Sequence, residues 1–412
     1  MRARRVVTRQ RRGGKRLGSF CLTALLASLC FMSPQSNAKT RSAEVSHRDV
    51  LERPDEVARF MAGLPQLNPE SPYLALERDR AWREHRASMD KHWARFEAGQ
   101  LAPMRSWQSS TFGAMTQPNL PLFYPFSGPD FVNAHMLYPQ TPRYIMVALE
   151  NVRRPPDFFS MSTPYLWKAL RGMVHALRDL YSVGYFITSH MSKDLVQRAA
   201  EGAVPSLMVL VARTGHEIVS AETLSLDAQG ALIKVDRFKR GMVRAMRIVF
   251  RKRGSAFHQE LVYFDVDLST EALAKTPEFL SFLESQGPLH TFVKAASYLM
   301  ATPQFSTVRS WVINRSRTLF QDDTGVPFRH FDTSMWVIKP FGDYAWPISG
   351  FGTYTHQPEL MALYKATPPE ERPTLPFSMG YHHYGEHRQS HMFLSRPKAH
   401  SQQRGSALRV GG

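Results

Sequence analysis

The stretch that decides the fold is LFYPFSGPD at residues 122–130, followed by the apolar run YIMVAL at 144–149 and then Glu150. The first three residues predict a short apolar strand, Gly128 allows a tight turn, and a helix is expected before the second strand. Two strands joined through a helix, the second an uninterrupted apolar run, are typical of parallel pairing in a sheet covered on both faces. The sequence therefore predicts an α/β fold with a Rossmann-like mixed sheet.

Segments on either side of this unit predict additions to the sheet. Residues 39–105 have apolar positions at helical spacing, with Gly99 as a stop, and predict an N-terminal helical arm packed across the main domain. Residues 243–250 and 257–267 alternate in polarity around a Lys-Arg-Gly-Ser turn. This pattern predicts an antiparallel hairpin extension.

Shorter patterns assign the remaining elements. The α/β domain is expected over residues 106–395, and the basic tail at 396–412 lacks apolar periodicity and is expected to be disordered. Further expected elements are helices at 270–285, 289–300 and 308–319, strands at 185–188, 207–212 and 328–339, and a closing hairpin that joins 377–384 to 389–394.

The first 38 residues are organised as an export signal peptide. Residues 1–16 carry eight Lys or Arg and no acid, the apolar run 17–32 follows, and Ser36-Asn37-Ala38 forms a small-x-small cleavage site. The apolar run is shorter than the roughly 20 residues that cross a bilayer, and no later segment is long or apolar enough to span one. We therefore expect cleavage near Ala38 and a periplasmic or extracellular location, reached by the general secretory or the twin-arginine route.

Composition excludes several classes of protein and site. Hydrophobic residues at 43% and charged residues at 21% exclude collagen, wholesale disorder and a polytopic membrane protein. Both cysteines, Cys21 and Cys30, lie in the signal, so the chain after cleavage has no cysteine for disulfides, zinc ligation or nucleophilic catalysis.

The charge of the chain depends strongly on this processing. Removal of the eight basic residues of the signal lowers the formal net charge from +17 to +9, and we expect no nucleic-acid partner. One dense basic cluster remains. Its members are Arg244, Arg247, Arg251, Lys252 and Arg253. The cluster is either a solvated hairpin tip or a peripheral contact with anionic lipid or glycan at an envelope surface.

Residues 122–150 have the order of the first half of a nucleotide-binding unit, with Glu150 placed 22 residues after Gly128. This stretch resembles the opening of class I S-adenosylmethionine-dependent methyltransferases. The resemblance implies a cofactor loop at Ser127-Gly128 and a ribose-binding carboxylate at Glu150. The run YPFSGPD, together with QDDTG at 321–325, is also similar to uncharacterised exported bacterial proteins, which implies no activity.

The sequence departs from the methyltransferase pattern in its turn. Pro125 stands where those enzymes place an acid, Gly128 is the single glycine of the loop, and Pro129 removes a backbone donor. The departures favour a scaffold whose cofactor site has been lost or reused, so no cofactor is assigned. Ser127, Gly128, Asp130 and Glu150 remain candidates for ligand binding, because loops diverge at the carboxyl ends of such strands.

Asp322 and Asp323 are the candidate catalytic residues. Adjacent carboxylates can bind a hard cation or position a water molecule, provided that a turn lets both side chains converge. The alternative is a structural turn, in which one aspartate bonds its own backbone and Gly325 has a positive φ. Both aspartates would face the cleft of Asp130 and Glu150 only if the strand after Gly325 runs antiparallel to the first two strands.

Three histidines near the end of the chain, His383, His387 and His391, would share one face of a helix in a zinc-like arrangement. Gly380 and Gly385 favour a hairpin instead, which leaves metal binding as the weaker interpretation.

The sequence lacks a Gly-x-Ser-x-Gly elbow, a Walker loop and a His-Glu-x-x-His motif. We therefore expect an envelope protein without catalytic activity that binds a small molecule or a glycan. The alternative is a metal-assisted hydrolase or transferase that uses Asp322 and Asp323.

Export is directly testable. Intact-mass measurement on fractionated cells should find a chain that begins at Lys39 outside the cytoplasm, because the signal is removed after Ala38. A cytoplasmic protein that retains residues 1–38 would contradict this assignment.

Overall fold

The computed structural model describes residues 47–183, 202–344, 356–381 and 390–398, which belong to one compact unit. The helices are α1 His47–Glu52, α2 Pro54–Met61, α3 Tyr73–Glu77, α4 Arg80–Phe96, α5 Ala102–Trp107, α6 Phe131–Leu137, α7 Thr163–Val183, α8 Ala203–Arg213, α9 Thr270–Lys275, α10 Pro277–Ser285, α11 Ser306–Arg315 and α12 Pro358–Ala366. The strands are β1 Leu122–Pro125, β2 Arg143–Ala148, β3 His216–Leu226, β4 Leu232–Lys234, β5 Arg244–Lys252, β6 His258–Asp265, β7 Leu289–Val293, β8 Ser316–Gln321, β9 Trp336–Gly342 and β10 His391–Pro397.

The ten strands of the described residues form one mixed sheet in the order β4-β3-β5-β6-β2-β1-β7-β8-β10-β9. The predicted parallel pairing is confirmed, with Leu122 opposite Tyr144 and Phe123 opposite Ile145. The five central strands, β6-β2-β1-β7-β8, are parallel. Counted along the chain these five have the order 3-2-1-4-5, which is the order of the doubly wound dinucleotide-binding fold. The α/β, Rossmann-like expectation is therefore confirmed.

Antiparallel strands extend the sheet at both ends. The predicted hairpin is confirmed as β5 and β6, and β3 and β4 continue it outward. At the opposite end, β10 is antiparallel to both β8 and β9. Consequently β9 runs in the same direction as β8.

Helices cover both faces of the sheet. Because side chains alternate along a strand, Tyr124 and Phe123 of β1 enter opposite cores. The core that contains Tyr124 is formed with α1–α8, and fully buried Phe60 shows that the N-terminal helices build this core. The core that contains Phe123 is formed with α9–α12.

Two predicted elements have the wrong type, and a third is right in type over only part of its length. Residues 289–300 were expected to be helical, but Leu289–Val293 is the central strand β7. The predicted helix at 308–319 ends at Arg315, and Ser316–Gln321 is β8. The predicted strand at 207–212 lies in α8, whose residues 203–212 are all buried. Short apolar runs have no period that distinguishes a buried strand from a buried helix, which explains these errors.

Several predicted boundaries also differ from the structure. The strand expected at 328–339 is Trp336–Gly342, and β10 pairs with β8 and β9 rather than with residues 377–381. Pairing with β9 orders residues 396 and 397, which were assigned to the tail. Gly99 does not end the helical arm, because π-helical turns continue the chain beyond it. Residues 185–188 and 399–412 lie outside the described residues.

Within the part of the chain that the structure describes, no helix combines the length and apolar character that crossing a membrane requires.

Two of the buried histidines, His85 and His135, lie among the helices on the Tyr124 side of the sheet. His135 Nδ1 lies 2.8 Å from the Tyr144 hydroxyl, and its ring meets that of His216 edge to face. His85 Nε2 lies 2.8 Å from the Met61 carbonyl oxygen, to which it donates. Burial lowers the pKa of His135 to about 3 and that of His85 to about 4.

These histidines predict that the fold loses stability in mild acid. Their folded pKa lies below the unfolded value of about 6.5, so the unfolded chain binds more protons below that pH. Each should lower the free energy of unfolding by about 1.4 kcal/mol per pH unit as the pH falls from about 6.5 toward the folded pKa. Urea unfolding at a series of pH values measures how steeply the free energy of unfolding changes with pH. His135→Asn should reduce that slope by about 1.4 kcal/mol per pH unit, whatever its effect on stability at neutral pH. An unchanged slope would contradict the assignment of a buried, neutral His135.

Candidate ligand site at the carboxyl edge of the sheet

The switch point of this sheet lies between β1 and β7. From β1 the chain builds the parallel strands β2 and β6 on one side, and later β7 and β8 on the other. In open α/β sheets, ligands bind in the crevice outside the carboxyl ends of the strands at this position. The residues that follow β1, β7 and β8 therefore form the candidate site.

A buried ion pair joins the ends of β1 and β7. Lys294 Nζ lies 2.8 Å from Asp130 Oδ2, and both side chains are at most 2% exposed. The hydroxyl of Tyr124 donates to Asp130 Oδ2 at 2.8 Å, and Asn133 Nδ2 donates to Oδ1 at 2.8 Å. Burial raises the pKa of Asp130, while Lys294 and these donors oppose that rise.

The segment after β7 has an unusual backbone. Ala295, Ser297 and Tyr298 have φ values of 52°, 52° and 57°, and Phe126 after β1 has 57°. A left-handed residue other than glycine costs about 1 kcal/mol or more, and such residues cluster at ligand sites. Two bonds hold the segment, because Ala295 N donates to Asp322 Oδ2 at 2.8 Å and Ala296 N to Thr324 Oγ1 at 2.7 Å.

Asp322 and Asp323 follow β8 and are almost completely buried, at 0% and 1% exposure. Besides Ala295 N, Asp322 accepts the backbone N–H of Thr324 at 3.0 Å. The hydroxyl of Tyr298 donates to Asp323 Oδ2 at 2.9 Å, and His391 Nε2 lies 3.4 Å from Asp323 Oδ1. The two carboxylates thus have different partners among the described residues.

The backbone N–H of Thr324 donates to the Asp322 carboxylate, and a structural turn requires this hydrogen bond. The expected positive φ of Gly325 is wrong, because Gly325 is not among the left-handed residues. Glycine is needed there for close approach, since a Cβ atom would collide with Gln321 Oε1. At Gly380, which does have a positive φ of 74°, a Cβ atom would lie 2.6 Å from Asp322 Oδ2. Two glycines therefore make room for the side chains of this cluster.

Asp130 and Asp322 come together, but not for the reason expected. They were to meet only if the strand after Gly325 ran antiparallel to β1, whereas β9 has the direction of β8. Asp322 and Asp323 instead follow β8, which is parallel to β7. Both strands therefore end at the edge of the sheet where Asp130 lies. The segment after β7 connects both clusters, because Lys294 binds Asp130 and Ala295 binds Asp322.

Glu150 and Ser127 have contacts other than those of Asp130 and Asp322. The hydroxyl of Tyr263 on β6 donates to Glu150 Oε2 at 3.3 Å and to its carbonyl oxygen at 3.0 Å. Three strand spacings, about 14 Å, separate β2 from β8, so Glu150 and Asp323 follow strands that are not neighbours. Ser127 Oγ donates to the carbonyl of Gly128, which has a φ of 55°.

Sequence reasoning missed Lys294, Tyr298 and Tyr381 as members of the site. Lys294 was concealed in the predicted helix at 289–300, although a lysine directly after an apolar strand is the signal that could have identified it.

Of the three histidines considered as metal ligands, His391 is wholly buried beside Asp323, while His383 and His387 lie outside the described residues. Within the described ranges no group of three or more His, Cys, Asp or Glu is placed to hold a metal ion.

Two hydroxyl groups, those of Ser297 and Tyr381, lie beside the left-handed residues after β7. Ser297 Oγ lies 2.9 Å from the Tyr381 hydroxyl, which donates to the Ala295 carbonyl at 2.6 Å. Ser297 and Ala295 are partly exposed, whereas Lys294 and Asp322 are buried. Groups of this kind are suited to hydrogen-bonding an uncharged polar molecule.

Comparison with protein-family models, curated proteins and solved structures finds no match to this chain.

The ion pair predicts a marked loss of stability when one partner is removed. Lys294→Met should lower the free energy of unfolding by about 3–5 kcal/mol, because it leaves the Asp130 carboxylate buried without its cation. The double variant Asp130→Asn, Lys294→Met should lose less than Lys294→Met alone, since it leaves no unpaired charge. Urea unfolding measures all three proteins.

Lys275→Met supplies the matched control, because Lys275 pairs with Glu271 on the surface at 71% and 82% exposure. It should leave stability almost unchanged. Equal losses for Lys275→Met and Lys294→Met would contradict the importance of the buried pair.

Proposed function

We propose that this chain is an exported envelope protein that binds a small molecule or glycan fragment at the carboxyl edge of β1, β7 and β8, without catalysis. The observation that carries this proposal is the segment Ala295–Tyr298 at the switch point, which is left-handed at three of its four residues and is held by Asp322 and Thr324. Strain that is maintained by buried bonds suits a preorganised binding surface.

The hydrogen bonding of the carboxylates favours binding over catalysis. A catalytic aspartate acts on substrate, water or metal directly, or orients a catalytic histidine. Asp322 accepts two backbone N–H groups, and Asp323 faces the Tyr298 hydroxyl and His391. A metal-assisted hydrolase or transferase that uses Asp322 and Asp323 remains the alternative.

This proposal includes the loss of the cofactor site that the resemblance to methyltransferases implies. Tyr263 hydrogen-bonds Glu150, the residue at the ribose position, and the Asp130–Lys294 pair occupies the edge where β1 meets β7. These contacts support the proposal that Glu150 and the turn after β1 no longer hold that family's cofactor. A scaffold reused for another ligand agrees with these contacts.

Binding assays test the proposal. Soluble fragments of cell-envelope glycans should raise the melting temperature of the protein without residues 1–38, and calorimetry should give saturable binding. Ser297→Ala and Tyr381→Phe should each weaken binding about two- to tenfold, the value of one hydrogen bond. Tyr165→Phe is the matched control, because Tyr165 is 46% exposed on α7. Failure of every fragment to bind, or equal losses in Tyr165→Phe, would contradict this site.

Metal analysis separates this proposal from its alternative. Purified protein without its signal should contain no stoichiometric metal. Metal that is present in the wild type and lost in the double variant Asp322→Asn, Asp323→Asn would favour the enzyme instead.

A further inference from the structure

A second cavity opens beside the end of β2, on the far side of Glu150 from the switch point. It has a volume of about 400 Å³ and is bounded by the residues after β2, by the segment after β4 and by the start of β5. Its apolar floor consists of Val152, Phe238 and Met246. The volume falls within the range of small-molecule sites.

The walls of this cavity are strongly basic. Four arginines line it, Arg153, Arg154, Arg237 and Arg244, and the single acidic residue in the lining is Asp236. The lining therefore carries three net positive charges in a concave surface, which concentrates the positive potential.

Two of the arginines are held in place by the fold. Arg154 Nε donates to Thr223 Oγ1 at 3.0 Å, and its Nη2 donates to the Asp236 carbonyl at 2.8 Å. The Arg244 guanidinium lies over the Phe238 ring at 5.9 Å, and its Nη1 is 3.6 Å from Asp265 Oδ2. Arg237 is exposed and makes neither an ion pair nor a hydrogen bond within the described residues.

The other arginines of the basic cluster also lie near acidic side chains, as Arg244 lies near Asp265. Arg247 pairs with Glu222, Arg251 with Glu217, and Arg253 lies near Glu217 and Asp55. Acidic neighbours thus compensate that part of the cluster, as a solvated hairpin requires. The cavity adds three further arginines to this surface, Arg153, Arg154 and Arg237, with Asp236 as the one acidic residue of its lining.

We infer that this cavity binds a phosphate group carried on a small organic molecule or a lipid headgroup. Guanidinium groups form planar forks that match phosphate oxygens with two parallel hydrogen bonds, and an anion of two charges would balance most of the lining. The floor of Val152, Phe238 and Met246 would contact the organic part. This anion site is independent of the ligand site at the carboxyl ends of β1, β7 and β8.

Calorimetric titration at constant ionic strength provides the test, with inorganic phosphate and glycerol 3-phosphate as probes and chloride as the reference. Wild type should bind both saturably. Arg237→Ala and Arg154→Ala should weaken binding about 10- to 100-fold, the value of a charged hydrogen bond. Arg237→Lys should recover only part of the affinity, because it restores the charge without the fork.

The matched control is Arg80→Ala, which removes the same charge from an exposed position on α4. Cosedimentation with vesicles of neutral lipid plus phosphatidylglycerol distinguishes the two sources of phosphate. Vesicle binding that Arg237→Ala abolishes and inorganic phosphate competes away assigns a headgroup, whereas binding of glycerol 3-phosphate alone assigns a soluble molecule. Absence of both, or equal losses in Arg80→Ala and Arg237→Ala, would overturn the anion site.

Discussion

The centre of this fold depends on the burial of one charged pair, Asp130 and Lys294, where β1 and β7 meet. Buried charges are tolerated only when each has a partner and hydrogen bonds. Tyr124 and Asn133 supply those bonds to Asp130, which fixes the turn after β1 and the start of α6 against the end of β7. The pair thus specifies where two distant parts of the chain must meet.

The same constraint extends to the third strand end. Because Lys294 is fixed, the next residues turn sharply, and their backbone N–H groups reach Asp322 and Thr324. The ends of β1, β7 and β8 are therefore connected by side-chain bonds in addition to the sheet. A polar interior of this kind gives specificity of geometry rather than large net stability, since desolvation offsets much of its energy.

Local patterns in the sequence predicted part of this arrangement. The strands at 122–124 and 144–149 and the hairpin of β5 and β6 follow from runs and turns that are complete within a few residues. The strands β7 and β8 were missed, because each is a short run buried on both faces and adjoining helical sequence. Asp130 and Asp322 were selected as candidates, but Lys294 became visible only after β7 was known. Contacts between strand ends depend on strand order, which no local pattern contains.

The position of β10 also determines when the sheet can close. Although β10 is the last of the ten strands along the chain, it lies between β8 and β9, and these two do not pair with each other. Strand β9, and the edge of β8 that faces away from β7, therefore emerge from the ribosome before the strand that bonds them exists. One edge of the sheet, together with the neighbourhood of Asp323 that His391 completes, must remain unfinished until residues 391–397 arrive. Long-range pairing of this type slows folding and leaves strand edges open to wrong partners in the interval.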